Sequence, residues 1–232
     1  MFSSIKHIFL WLCFLQINNG EIMATKIGLI GDVHSYPEPL GEALSLLKKI
    51  GVEMILCAGD IAGYGNDLDR TAELLIRNEC KTVIGNHDNW HLQGISQDDR
   101  TPAESWIAQL PAALEFTIEG KSLYMVHSRP PTHDRHGIKL LDEKGELVSE
   151  QKEIWTQTLA GFEYDILIVG HSHQVYAEQL GDVLLINPGS TCFNNACGIL
   201  SLPEMKVEFL SLPDKSIVKS WNWGTYEVNA DE

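Results

Sequence analysis

Five short polar motifs, each set at the end of an apolar run, constrain this sequence more than any other feature. Gly31-Asp32-Val33-His34 follows residues 26–30, Gly59-Asp60 follows 52–58, and Gly85-Asn86-His87-Asp88 follows 81–84. His127 closes a hairpin-like stretch, and Gly170-His171-Ser172-His173 follows residues 165–169. Short apolar runs bounded by glycine read as buried strands. Polar residues just past strand ends gather on one rim of a sheet, where α/β folds place their sites. A glycine ahead of an acid or amide permits a sharp turn and a close backbone approach to a bound group. The spacings Asp32-x-His34 and His171-x-His173 are expected to put two donors on the same side of an extended segment, which suits chelation. Imidazole nitrogen mixed with carboxylate and amide oxygen favours borderline ions such as Mn, Fe or Zn over calcium. No cysteine stands in these loops, which argues against a closed structural zinc site. A lone Gly-Asp is usually a turn, and a lone His usually a satisfied polar residue. Five such motifs in order are another matter, because a fold directs this many imidazoles and carboxylates to strand ends only for chemistry.

Between the motifs, apolar and amphipathic stretches alternate. The spacing of Leu40, Leu44, Leu47 and Ile50 predicts a helix, residues 68–76 another, and Thr101-Pro102 with Glu104 a helix start. Strand, helix, strand, helix implies a largely parallel sheet. After Pro111 the pattern turns to hairpins: residues 114–127 read as two strands about Glu119-Gly120. Residues 129–145 form a loop with Pro130-Pro131 as breakers, and 150–160 a helix. Strands follow at 165–169, 174–180, 183–186, 198–202 and 206–212. The pattern predicts two packed sheets with helices outside.

A chain of 232 residues, 44% hydrophobic and 21% charged, buries one sizeable core and fits a single domain. The net charge of -15 repels a long polyanion, so duplex nucleic acid is excluded as a stable partner. It does not exclude a small phosphorylated substrate, since bound divalent cations reverse the local field. Cys13, Cys57, Cys80, Cys192 and Cys197 are scattered, without a CxxC pair or disulfide framework, as expected of reduced thiols in a cytosol.

Taken together, GDVH, GD, GNHD, a single His after a strand, and GHSH resemble the signature of the calcineurin-like metallophosphoesterases, over residues 26–212. Within that superfamily the chain is similar to the small microbial phosphodiesterases and phosphatases, through residues 59–65 and Asn187-Pro188-Gly189-Ser190. The resemblance implies an α/β (α+β) fold, a four-layer αββα sandwich of two mixed sheets flanked by helices, with a dinuclear metal site at the strand C-terminal rim. It implies that Asp32, His34, Asp60 and His173 hold one divalent metal and that Asp60, Asn86, His127 and His171 hold the other. The metal expected first is Mn2+, with Fe, Zn, Ni or Co as alternatives. A hydroxide between the two ions would attack phosphorus in line. His87 is expected to stabilise the phosphoryl oxygens or protonate the leaving alkoxide, with Asp88 orienting its ring. Ser128, where many relatives have glycine, and Ser172, where Thr is frequent, depart from the pattern.

The expected partner is a small phosphoester or nucleotide. Arg129, and less directly Asn86, are candidates for substrate contact, and Arg135, His133 and His136 lie in the same loop. Tyr64 and Trp90 are candidates for stacking on a ring, or for simple packing. Alternatives to small-phosphoester hydrolysis are a protein phosphatase, a dinucleoside-polyphosphate hydrolase, or a non-catalytic scaffold such as the retromer subunit of similar fold. Near the start, Lys6 and His7 precede an apolar stretch, residues 8–17, that resembles the h-region of a secretory signal but is too short to span a bilayer. No small-x-small cleavage site follows it. Met23, directly ahead of the first strand, is read as the true start. That reading makes 1–22 upstream sequence, 23–228 the domain, 229–232 a frayed tail and the protein cytoplasmic, with no membrane partner; an export signal or anchor is the rival.

Overall fold

The structure, a computed structural model, describes Ile17–Asn18, Glu21–Ile22 and residues 24–130 and 136–221. The start of the signal-like stretch, the tail from Asn229, and His133 and Arg135 lie outside the described residues. β1 (Ile17–Asn18) and β2 (Glu21–Ile22) pair antiparallel ahead of the main fold.

From β3 (Thr25–Ile30) the chain alternates as the hydrophobic pattern requires: α1 (Pro37–Ile50), β4 (Met54–Cys57), α2 (Leu68–Arg77) and β5 (Lys81–Thr82). Then come α3 (Asn86–Leu92) and α4 (Pro102–Ile107). Thr101 and Glu104 close a reciprocal capping box on α4: the Glu104 N–H donates to Thr101 Oγ1 at 3.2 Å and the Thr101 N–H to Glu104 Oε2 at 2.8 Å. β6 (Ala113–Ile118) and β7 (Lys121–Val126) form the expected hairpin about Glu119-Gly120. α5 (Ser149–Thr158), β8 (Ile166–Ile168), β9 (Val175–Leu180), β10 (Val183–Pro188), β11 (Ala196–Leu202) and β12 (Lys206–Ser211) complete the fold.

The strands form two five-stranded sheets, ordered β12-β11-β3-β4-β5 and β6-β7-β8-β10-β9. Both are mixed rather than largely parallel. β3, β4 and β5 run parallel, as strands joined by helices must. β11, however, returns antiparallel beside β3, pairing Gly198 with Leu29, a long-range match that no local pattern announces. α3 is a second departure: Asn86-His87-Asp88 opens a helix whose seven residues carry too few apolar positions to show a helical period.

Side chains alternate across the sheets to give four layers. Ile27, Leu29 and Leu56 of the first sheet meet Ile166, Ile168 and Ile186 of the second, and all are buried. Their neighbours Ile30, Ile55 and Cys57 face α1, α2 and α4 through Leu40, Leu44, Leu47, Leu75 and Ile107. On the far side, Leu167, Val169 and Leu185 face outward to Leu159 and Trp155, at the end of α5. Strands covered on both faces are apolar throughout, which explains their near-continuous hydrophobic runs. This is the αββα sandwich, and the buried Asp and His side chains of the motifs lie at the loop ends beyond its apolar core. Among the described residues no helix is long and apolar enough to cross a membrane.

Candidate metal centre

The motif loops meet along one edge of the two sheets. The Asp32 N–H donates to Gly59 O at 3.0 Å, the His34 N–H to Asp60 O at 3.0 Å and the Ser35 N–H to Ile61 O at 2.7 Å, so the loops after β3 and β4 run side by side. From the second sheet, the Gly170 N–H donates to His127 O at 2.8 Å, joining the loops after β7 and β8. Asp32, His34, Asp60, His171 and His173 all take left-handed φ, between 48° and 67°. The expectation of an extended x-His segment is therefore wrong. Asp32 and His34 are aimed by successive left-handed kinks, a strain of about 1–3 kcal/mol per residue that the interlocked loops must hold. Gly59, at φ 95°, is needed for contact: a Cβ there would stand 2.8 Å from His127 Nδ1.

All seven expected ligands converge. Ligand atoms of Asp32, His34 and His173 lie within 4.8 Å of one another, as do those of Asp60, His127 and His171. Each group draws on both sheets. His34 Nε2 is 3.0 Å from His173 Nε2, and Asp32 Oδ1 is 3.7 Å from the latter. In the second group, Asn86 Oδ1 lies 2.9 Å from His127 Nε2 and 2.6 Å from His171 Nδ1. Between the groups, Asp60 Oδ2 faces His34 Nε2 at 3.8 Å and His127 Nε2 at 3.3 Å. Asp60 Oδ1 instead accepts the His87 backbone N–H at 2.9 Å.

The donor set fits cations. His34 donates Nδ1–H to Ala62 O at 3.2 Å and His127 donates Nδ1–H to Ala58 O at 2.7 Å. With Nδ1 so engaged, Nε2 of each ring points into the centre and offers its lone pair once deprotonated; a backbone carbonyl on the other nitrogen is the usual outer partner of a ligating imidazole. Asn86 Oδ1, Asp60 Oδ2 and His173 Nε2 face them, a close-set array of ligand atoms that a cation satisfies. The charges agree. Burial pushes Asp32 up to about 8 against the pull of His127. Burial would lift Asp60 too, but neighbouring His127 and His34 hold its carboxyl below the usual range. Burial pushes His34 down to about 4 and His173 to about 2, whereas Asp60 overcomes burial at His127 and holds it at about 10.

His87 is half-buried beside the first group, with a ring nitrogen within 4.8 Å of ligand atoms of His34 and Asp60. Its neighbours are rings: His34 at 4.9 Å, Tyr64 at 4.8 Å and Trp90 at 4.9 Å between centroids. Asp88 does not orient it. The buried Asp88 carboxylate accepts the N–H groups of Ile61 at 2.9 Å and Ala62 at 2.7 Å through Oδ1, and that of Gly85 at 2.8 Å through Oδ2. Asp88 thus buckles the loop after β4 to the start of α3, because it points back into the helix N-terminus where free N–H groups await an acceptor.

Arg129 is half-buried two residues past His127, and His136 is exposed. Ser128 is buried, its hydroxyl without a hydrogen-bond partner among the described residues. Ser172 Oγ accepts from Asn187 Nδ2 at 3.0 Å. Asn187-Pro188-Gly189-Ser190 is buried scaffold rather than pocket lining: Asn187 Nδ2 also donates to Gly170 O at 2.9 Å, and Ser190 Oγ to Asp32 O at 2.5 Å. Three supports escaped the sequence reading. Asn194 Nδ2 donates to His173 O at 2.9 Å, Phe193 stacks on His173 at 5.3 Å, and Trp221 stacks on Phe193 at 3.8 Å. Only the Asn-rich stretch 194–195 after a Gly-Ser turn hinted at them.

Residues 25–200 match the family model of the calcineurin-like phosphoesterase superfamily domain, and the chain belongs to that family. It is a metallophosphoesterase, a hydrolase of phosphoric esters, in a family that works with two metal ions. Among its relatives is an uncharacterized protein of Methanocaldococcus jannaschii, MJ0912, 27% identical over 190 residues that cover 72% of this chain and 70% of that protein. The phosphodiesterase MJ0936 of the same organism is 22% identical over 173 residues, covering 72% of this chain and 84% of that one. A crystal structure of a metallophosphoesterase from Sphaerobacter thermophilus shares the fold, with a TM-score of 0.60 and 21% identity over 82% of this chain and 88% of that one.

Proposed function

We propose that this centre hydrolyses a small phosphomonoester or phosphodiester. Asp32, His34, Asp60 and His173 would hold one divalent ion, and Asp60, Asn86, His127 and His171 the other. The observation that carries this is the split of Asp60: one oxygen is tied to backbone, and the other is aimed between the two groups. The nitrogen and oxygen set puts Mn2+ first, with Fe, Zn, Ni or Co also accepted. When bound, two such ions supply Lewis acidity toward phosphoryl oxygens and lower the pKa of an attacking water toward neutrality. The protein's own part is positional. The Asp88 carboxylate and the paired loop backbones keep the donors converged, so little reorganisation accompanies reaction. His87 has no hydrogen bond from its ring to the described residues, and its N–H is available to a phosphoryl or leaving oxygen at the edge of the first group. Arg129, two residues past His127, would pair with a second phosphate oxygen or a substrate carboxylate.

The name of the MJ0936 relative puts a diester first among test substrates. The metal-loaded protein should cleave bis-(p-nitrophenyl) phosphate with Mn2+. His87→Ala should lower kcat by about 10²–10⁴-fold with metal content unchanged. A demonstrably loaded preparation that turns over no phosphomonoester, diester or nucleotide overturns the reading.

A further inference from the structure

Two of the most exposed large apolar side chains in the described structure stand at the mouth of the metal centre. Trp90 is 49% exposed and Tyr64 46% exposed, and each touches His87. Trp90 follows His87 by three residues on α3, which places both on one face of the helix. Tyr64 arrives from the loop after β4. There Gly63, at φ 140°, lies so near His34 that a Cβ would run into its Nδ1, and a Cβ at Gly65 would run into Ser35 O. The loop therefore lies flush on the floor of the site, and Tyr64 is the side chain that rises from it, with its ring also against Phe193 at 5.5 Å.

Both rings thus border the histidine that meets the leaving oxygen, and both keep about half their surface open. An indole and a phenol presented in this way offer π-faces to a flat ring, which stacks without hydrogen-bond readout. A leaving group that carries a base one sugar away from its ester oxygen passes His87 and reaches them. The net charge of -15 restricts that ligand to a small molecule rather than a nucleic acid strand.

We infer that Tyr64 and Trp90 form a base-stacking subsite beside His87, which makes the preferred substrate a small nucleoside phosphoester. The inference rests on the phosphoester reading of the centre and specifies what lies beyond the phosphate.

Equilibrium binding of the non-hydrolysable 5′-phosphonate analogues of adenosine 5′-monophosphate and, separately, of ribose 5-phosphate to the metal-loaded protein tests it, with titration calorimetry as readout. The nucleotide should bind about 5–150-fold more tightly, the range that one stacked base contributes. Trp90→Ala should erase that advantage, and Trp90→Phe should keep most of it, with metal content and circular dichroism checked in both. Equal binding of the two probes, or an advantage that survives Trp90→Ala, overturns the subsite. Cleavage of an aliphatic phosphoester that continues under either of those results leaves the hydrolytic reading standing. A nucleotide preference in a loaded protein that cleaves nothing supports the subsite and overturns hydrolysis instead.

Discussion

Around His34 and His173 the neighbours are mostly rings, with one longer bond from His34 Nδ1 to Ala62 O at 3.2 Å, whereas around His127 and His171 short hydrogen bonds dominate. His34 touches Tyr64, His87 and Phe193, and His173 lies beside the Phe193–Trp221 stack, 5.3 Å from each ring, its Nδ1 buried without a hydrogen bond to the described residues. His127 is held by Ala58 O through Nδ1, and the His171 backbone N–H is spent on Asp32, 3.0 Å from each carboxylate oxygen. Stacking is broad and tolerates small shifts, while a short bond to a backbone carbonyl fixes direction. One half of the centre should therefore loosen by degrees and the other fail abruptly, although both present the same kinds of ligand.

The largest expected effect ignores this difference. Asp60→Asn keeps the oxygen that accepts from His87 but replaces the one shared by both halves. Both ions should be lost in elemental analysis, and turnover with them; a variant that still carries both ions would remove Asp60 from its bridging place. Gly59→Ala probes the abrupt half, since the new methyl would meet His127 Nδ1. One ion should bind about 100-fold more weakly, at the upper end of what a lost outer partner costs, while the other stays. Phe193→Ala probes the tolerant half: the affinity of the ion at His173 should fall about 10-fold, read as a split in a Mn2+ titration. If Phe193→Ala costs as much as Gly59→Ala, the contrast between the halves disappears. Ser172→Ala is the mildest. It removes one of two acceptors for Asn187 Nδ2 and should lower unfolding free energy by about 1 kcal/mol in urea melts, with metal content unaltered.

The motifs were legible because each follows a strand, and a buried strand announces itself through a continuous apolar run. Convergence of the seven expected ligands needed only that these strands share one rim. What stayed hidden depends on chain segments far apart in sequence. The antiparallel place of β11 beside β3 is one example, and the bonds of Asn187 and Asn194 to the loops that carry His171 and His173 are others. Asn-Pro-Gly-Ser reads as a turn by composition alone, whether it lines a pocket or supports a floor. Asp88 was misread for a related reason. Next to His87 in sequence, it looks like that ring's partner, but the helix that begins at Asn86 turns its carboxylate toward the loop after β4 instead.

The left-handed backbone at Asp32, His34, Asp60, His171 and His173 also bears on how such a protein can change over generations. These are conformations that glycine adopts freely and asparagine tolerates. Substituting those residues there relaxes the chain while it removes a ligand, and the apolar layers beneath are untouched. Drift away from chemistry therefore runs downhill in stability. A lineage released from selection for hydrolysis would shed its metal-binding side chains first and keep the αββα body as a durable surface on which other roles could be built.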